Sequence, residues 1–458
     1  MSPPSRPRAT VMGLGLFGGG LGVARHLCGE GWDVLVTDLK GEAELARSVA
    51  ALAGLGVRWR LGSHEESDFR DTDLVVVNPA VPPGNRYVEA ARAAGVRIDT
   101  EIGMFVRGCR GRIVGVTGSA GKSTTSALAA ACLERAKLPG RVLLGGNIGK
   151  SLLEEMPSIG REDVVVLELS SFQLHWLRRE GLRPAVGVLT NIAPNHLDWH
   201  GTVERYAEDK SGIVPEAGGV LVALAEDPRV RTIASAAPCR VVWTSRNDDL
   251  PAGDAVFWRG TSLVRRTAAG ETPVLGRDDV RLLGAHAAWN VASAAAAAIE
   301  AGAAAEAVRE GVRSFEGLKH RLKPTGTVRG VLCVDDSKST TPEAAALALA
   351  AFDRPILLLA GGYDKGLDPR PMVEAAVGRA RAVLCYGKTG PALADAFRDA
   401  GIDDVVLAET LVEAVDRAFV LAAPGDVLLL SPGHASWDQF ANYEARAAAF
   451  AEAVAAYG

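Results

Sequence analysis

The chain has 458 residues, 48% of them apolar and 23% charged, which bounds it to a globular protein of two or three domains. A net charge of −5 excludes a nucleic-acid binder that works through bulk positive charge, and no apolar run is long enough to span a bilayer. The six cysteines form neither a metal spacing nor a disulfide framework, which fits a reducing cytoplasm, and Met1–Arg8 lacks the apolar stretch of a signal peptide.

The first segment, 1–110, reads as a small α/β unit. Ala9–Met12 is a strand, Gly13–Gly20 a glycine turn and Leu21–Cys28 a helix. Val34–Thr37 and Leu74–Val77 are further strands, ending at Asp38 and at Asn78-Pro-Ala-Val-Pro-Pro-Gly84. Strands without polar alternation, separated by helices, predict a parallel sheet covered on both faces, with ligands beyond the carboxyl ends of its strands. Asp38 and Asn78 fall in that zone. Gly13-Leu-Gly-Leu-Phe-Gly18 with Asp38 downstream matches a dinucleotide fingerprint. Alone, it allows a nicotinamide cofactor, another nucleotide-bearing ligand or a purely structural turn.

The second segment, 111–316, opens on the apolar strand Ile113–Thr117, then Gly118-Ser-Ala-Gly-Lys-Ser-Thr124, then a helical stretch. Strand, glycine loop, Lys-Ser and helix make a phosphate cradle. Backbone N–H groups and the helix N-terminus face the phosphates. In that layout Lys122 neutralises β/γ oxygens and Ser123 holds Mg²⁺. Val116 stands where the general motif has glycine, so the loop fits the variant Thr-Gly-x-x-Gly-Lys-Ser-Thr. Glu168 ends the apolar strand Val164–Leu167, positioned to hold Mg²⁺ directly or through water. After the strand Val186–Thr190, His196, Asp198 and His200 crowd one loop, and Lys210 lies in a helical stretch, Val203–Ile213. A lone helical Lys is ordinarily a solvated charge. Residues 220–285 hold shorter β-like runs, and Ala285–Gly302 is an Ala-rich helix in which His286 and Asn290 share a face.

The third segment, 317–458, has five short apolar strands separated by helices, a second doubly wound unit. Its strand ends carry Asp336-Ser-Lys338-Ser-Thr340, Lys365 beyond Gly361-Gly362, and Ser436 within Ser431-Pro-Gly-His-Ala-Ser-Trp437. Lysines and hydroxyls at adjacent strand ends suit a small dicarboxylate. Arg321, in Gly317-Leu-Lys-His-Arg321, offers a guanidinium to a phosphate.

These motifs, in this order, resemble the Mur ligase superfamily over nearly the whole chain. The resemblance rests on the phosphate loop, Gly146-Asn147-Ile-Gly149, Glu168-Leu-Ser-Ser-Phe-Gln173, Asn191 to His196-Leu-Asp-x-His-Gly-Thr202, Asp336-Ser-Lys-x-Thr340 and Ala435-Ser-Trp-Asp-Gln-Phe440. It implies three α/β domains, each on a mainly parallel sheet: a Rossmann-like one, a P-loop ATPase-like one and a second Rossmann-like one. They would bind, in order, a UDP-linked substrate, ATP and an amino acid. The activity implied is ATP-driven amide formation, adding D-glutamate to UDP-N-acetylmuramoyl-L-alanine through an acyl phosphate in peptidoglycan precursor synthesis, by a cytoplasmic monomer. A sibling ligase for another amino acid such as L-glutamate, an NAD(P)-binding oxidoreductase and a non-catalytic nucleotide binder are the alternatives.

By the same resemblance Lys122, Glu168, His196 and Lys210 are catalytic. Gly118, Ser119, Ala120, Gly121, Lys122, Ser123, Thr124, Asn290, Arg321 and Asp336 would bind ATP. Gly15, Leu16, Phe17, Asp38, Asn78, Asn147 and Ser171 would bind the nucleotide-sugar substrate, and Lys338, Thr340, Lys365, Ser436 and Tyr443 the glutamate. Two Mg²⁺ ions would be held by Ser123, Glu168, His196 and a carbamate on Lys210. The chain departs from the family pattern at Ala120, Ala287, Asp335 and Thr341, each in place of Asn, at Lys319 in place of Pro and at Asn195 in place of Asp.

Overall fold

The computed structural model describes residues 6–14, 19–148 and 151–458. Its strands form three sheets. The first contains β1 (Arg8–Met12), β2 (Asp33–Asp38), β3 (Arg58–Leu61), β4 (Leu74–Val77) and β5 (Arg97–Asp99), in the order β3-β2-β1-β4-β5. Every pairing is parallel. Neighbours diverge between β1 and β4, so the crevice that opens at a reversal of strand order lies past Met12 and Val77.

The second sheet contains β6 (Arg112–Thr117), β7 (Val142–Gly146), β8 (Val164–Glu168), β9 (Val186–Leu189), β10 (Val220–Leu224), β11 (Arg240–Ser245), β12 (Ala255–Arg259), β13 (Ser262–Thr267) and β14 (Gly270–Gly276). Its order is β14-β13-β12-β11-β10-β9-β6-β8-β7. The phosphate-loop strand β6 is therefore flanked by β8 and β9. The last two strands pair antiparallel, and they resolve the turn-rich part of 220–285 as a meander.

The third sheet contains β15 (Lys323–Val328), β16 (Val331–Asp335), β17 (Ile356–Gly361), β18 (Ala380–Tyr386), β19 (Val405–Leu407) and β20 (Val427–Gly433), ordered β15-β16-β20-β17-β18-β19. Only the edge strand β15 is antiparallel. Pro324 and Gly326 sit there at a shift of register, where an edge tolerates a missing donor.

The chain forms two compact units, one of Met1–Asp279 with Ala288–Ser314, the other of Val280–Ala287 with Phe315–Gly458. In the first unit the first two sheets share one core, which runs from Val11, Val34 and Phe105 to Leu153, Leu167 and Ile213. The helix Glu101–Gly108 adds an ion pair from Arg107 to Glu180, just after the helix Ser171–Arg179. In the second unit helices cover both faces of the sheet, with Leu358 in one core and Leu357 and Leu359 in the other. Leu359→Ala should cost about 2–5 kcal/mol, because a buried strand cannot close over the cavity. Urea unfolding would record it as a lower midpoint at an unchanged slope.

Two helices differ from expectation. The α-helix after His196 is Val203–Lys210, and Ser211–Ile213 continues as one tighter turn. The Ala-rich helix begins at Ala287. His286 lies in the turn before it, so His286 and Asn290 are not carried by one helix as expected.

Candidate active site

β6 is apolar and buried as far as Thr117, and the chain then turns through Gly118–Gly121 into the helix Lys122–Arg135. Gly121 caps that helix at φ +81, in the left-handed region, and a Cβ there would strike the side-chain oxygen of Asn290. The helix Ala287–Glu300 thus brings Asn290 against the phosphate loop, where its Oδ1 also accepts from Thr125 Oγ1 at 3.3 Å.

The loop is propped from β9. Asn191 Oδ1 accepts from the N–H groups of Ser119 (3.1 Å) and Ala120 (2.9 Å), and its Nδ2 donates to the Ala120 carbonyl at 3.0 Å. Thr190 Oγ1 donates to the same carbonyl at 2.8 Å. Ala120 therefore serves the loop through its backbone. The Lys122 ammonium donates to the carbonyls of Gly118 (2.8 Å) and Ser119 (3.1 Å), while Ser123 and Thr124 enter the first helical turn half-buried.

Glu168, only 2% exposed, ends the neighbouring strand. Its Oε1 accepts from Asn147 Nδ2 at 2.9 Å, and its Oε2 is buried with no hydrogen-bond partner. Gly146 makes this possible: φ is +89, and a Cβ would collide with the Glu168 carbonyl. A buried carboxylate oxygen without a donor suits a hard cation. Among the described residues no three His, Cys, Asp or Glu side chains converge into a metal cage. A cation here would take much of its shell from phosphate oxygens and water, as Mg²⁺ commonly does.

Lys210 is 1% exposed. Its Nζ donates to Gly118 O at 2.8 Å and Thr117 Oγ1 at 3.2 Å and lies 4.7 Å from the centre of the Tyr206 ring. Burial, then the positive charge of Lys122, holds this amine well below the ordinary lysine value, and Glu168 only partly opposes the shift. His196 has φ +52 and is exposed at the start of the short helix Leu197–His200, its ring 4.9 Å from Phe172. Protein crowding around the ring, then Lys122, lowers its basicity. Behind these groups Asp209 accepts from His175 Nδ1 and His200 Nδ1, both at 2.8 Å. His200 Nε2 meets Ser171 Oγ at 2.9 Å.

At the first sheet, Asp38 Oδ2 accepts from Leu14 N–H at 2.8 Å and Oδ1 from Lys40 N–H at 2.9 Å, so its carboxylate organises the turns at the crevice. Asn78 Oδ1 accepts from Ala80 N–H at 3.0 Å, and Gly13 packs on the Asn78 side chain. Gly15, Leu16 and Phe17 lie outside the described residues.

In the second unit β16 and β20 lie side by side, and their ends bring Asp336 to Ser431. Asp336 Oδ2 accepts from Ser431 Oγ at 2.8 Å and Oδ1 from Leu322 N–H at 3.1 Å. Asp335 accepts from Ser337 Oγ (2.7 Å) and pairs with His320 Nδ1 (2.7 Å), and Thr341 caps the helix Pro342–Leu349. The Lys338 ammonium lies 5.6 Å from the centre of Tyr443, and Thr340 follows half-buried. Lys365 lies 4.6 Å over exposed Trp437, next to buried Ser436, and Arg321 is exposed in the turn before β15.

Burial pushes the Asp336 carboxyl up to about 6, outweighing its hydrogen bonds. The folded state holds this proton more tightly than an unfolded Asp does. The resulting stability is complete below about pH 4 and is lost as pH rises through about 6. Asp336→Asn should flatten that part of the pH profile, by about 2 kcal/mol between pH 4.5 and 7. Urea midpoints at the two pH values measure it.

Sequence reasoning missed three contributors. Thr190 closes a buried strand. Asp209 lies on a helix that is charged overall, on the side that buries Tyr206. Arg446, in the helix Tyr443–Ala455, is completely buried and donates to the carbonyls of His434 and Ser337, both at 2.9 Å.

Family profiles match the chain in three places: "Mur ligase MurD-like, N-terminal domain" at 7–100, "Mur ligase middle domain" at 116–298 and "Mur ligase, glutamate ligase domain" at 320–434. A Roseiflexus sp. protein called UDP-N-acetylmuramoylalanine--D-glutamate ligase is 45% identical over 98% of both chains. A Symbiobacterium thermophilum protein of that name is 40% identical, again over 98% of both. UDP-N-acetylmuramate-alanine ligase MurC from Thermotoga maritima shares the fold, with a TM-score of 0.59 at 20% identity over 98% of this chain and 100% of that one. With relatives this similar along its whole length, the chain belongs to the Mur ligase family.

Proposed function

We propose that this enzyme is an ATP-dependent ligase that joins D-glutamate to UDP-N-acetylmuramoyl-L-alanine in peptidoglycan precursor synthesis. The observation that carries the reading lies at the adjacent ends of β6 and β8. There a phosphate loop with Lys122 meets a carboxylate with one unpartnered oxygen, Glu168, and a buried amine, Lys210. Relatives of that name, 45% and 40% identical, support the choice of amino acid.

In this reading 1–110 binds the UDP end, 111–316 binds ATP and 317–458 binds the amino acid. The substrate carboxylate attacks the γ-phosphorus, the bond to the β-phosphate oxygen breaks, and ADP leaves behind an acyl phosphate. The glutamate amine then attacks the acyl carbon, loses a proton and expels phosphate. Each approach brings negative charge toward negative charge, so stabilisation comes from fixed cations and oriented N–H groups rather than from a protein nucleophile. Lys122 and the first-turn N–H groups hold the β/γ-phosphates. Mg²⁺, held by Ser123 and Glu168, would spread the equatorial charge, and a second ion would rest on His196 and a Lys210 carbamate. The depressed basicity of Lys210 favours that modification, since only the free amine adds CO₂. Asn290 braces the loop, Asn147 and Ser171 flank the nucleotide-sugar path, and Arg321 and Asp336 would be the ATP-binding residues of the last segment by the family resemblance. Lys338, Thr340, Lys365, Ser436 and Tyr443 receive the amino acid. The enzyme acts as a cytoplasmic monomer; no helix among the described residues is long and apolar enough to cross a membrane.

Phosphate release with UDP-N-acetylmuramoyl-L-alanine and a panel of amino acids of both hands tests the reading. Stimulation by D-glutamate alone is expected. Stimulation by L-glutamate or another amino acid would replace the acceptor, and release by none of them would remove the ligase.

A further inference from the structure

We propose that Asp209 is a positioning residue for the cation site of this ligase, an inference that rests on the function proposed above. Three elements carry the groups assigned to that site. Glu168 precedes the helix Ser171–Arg179, His196 precedes Leu197–His200, and Lys210 ends Val203–Lys210. Asp209 ties all three together. One carboxylate oxygen accepts from His175 in the first helix and the other from His200 in the second, while its own backbone adjoins Lys210 in the third.

The protonation pattern follows from the partners. Each Asp209 oxygen lies 2.8 Å from an imidazole Nδ1, one of His175 and one of His200, and accepts from it. An acceptor-only carboxylate requires a proton on Nδ1 of each ring. With its Nδ1 turned to Asp209, His200 meets the Ser171 hydroxyl through Nε2 at 2.9 Å. His175 Nε2 is buried without a partner, so its ring is held by Asp209 and by edge-on packing against Trp176 and Trp199. Serine, histidine and aspartate stand in the order of a nucleophilic triad. Ser171 and His200 are 3% and 4% exposed, however, so the hydroxyl is held against the ring rather than presented to a carbonyl for attack. The arrangement works as a brace: it fixes the relative height of Glu168, His196 and Lys210, as second-layer partners fix metal ligands elsewhere.

Asp209→Asn tests this. The amide keeps the shape, but its NH₂ faces an Nδ1–H unless one ring changes tautomer, and if that ring is His200 it can no longer accept from Ser171. Mn²⁺ binding to the full-length protein with ADP is titrated by EPR of the free ion. The variant's dissociation constant should rise about tenfold or more. In steady state kcat should fall while KM for the amino acid holds. A role confined to fold stability would lower the melting temperature and leave the Mn²⁺ constant of the folded protein unchanged, which overturns the proposal. Wild-type protein that binds no Mn²⁺ beside ADP would remove the cation site and the proposal together. If Asp209→Asn does not fold, His200→Asn takes its place, since it keeps a donor toward Asp209 but no longer reaches Ser171. The same weakening is expected, and an unchanged constant overturns the idea.

Discussion

Lys122→Ala is expected to lower the rate of phosphate release by on the order of 10²-fold or more. The ammonium sits inside the curve of the phosphate loop, 2.8 Å from the Gly118 carbonyl and 3.1 Å from that of Ser119, so its place does not depend on a distant element. In the proposed mechanism alanine removes a charge that would matter most when a carboxylate closes on a triphosphate. That repulsion is largest at the transition state, so the loss should fall mainly on kcat, with a smaller rise in KM for ATP. Helix propensity favours alanine at this position, and the melting temperature should hold. Steady-state phosphate release at saturating nucleotide decides the matter. Turnover near that of the wild type would detach the phosphate loop from the chemistry.

Lys210→Ala carries the second large effect, a fall of about 10–100-fold. In the proposed mechanism the amine reacts with CO₂, forming an N–C bond and releasing one proton, so that an anionic carbamate would take the place of a buried base. Alanine leaves a gap of that length beside Thr117 and Tyr206. Formate or acetate should enter the gap and restore part of the rate, whereas chloride at equal ionic strength should not. Lys210→Arg offers a guanidinium that does not carry a carbamate, so neither activity nor rescue is expected from it. Full activity of the alanine variant without added carboxylate would refute the assignment.

The parts of the fold that were legible in sequence are those where burial leaves a plain mark. β4, β8 and β17 are buried along their length and so read as hydrophobic runs, Leu74–Val77, Val164–Leu167 and Ile356–Ala360. β3 and β5 did not show, since Arg58-Trp-Arg-Leu61 and Arg97-Ile-Asp99 are short edge strands rich in charge. β15, with Pro324 and Gly326, reads as a linker by composition and becomes a strand only because β16 offers it an open edge. The phosphate loop and Glu168 were legible from strand-end position alone. The surroundings of Lys210 were not: its helix is charged overall, and only the tertiary fold reveals that Asp209 and Lys210 face inward. Asp38 matched a dinucleotide fingerprint in sequence, and the structure has both of its oxygens engaged by backbone N–H groups.

The last strand of the chain, β20, lies between β16 and β17 rather than at a margin. Ribosomal synthesis therefore delivers the centre of that sheet nearly at the end, after both of its neighbours have emerged. Until Val427–Gly433 arrives, β16 and β17 present raw backbone edges to each other across a gap one strand wide. A nascent chain stalled before this point has no finished platform for Lys365 or Ser436 and is open to pairing with other chains. Loss of the final few dozen residues would thus split the unit through its middle instead of trimming its rim.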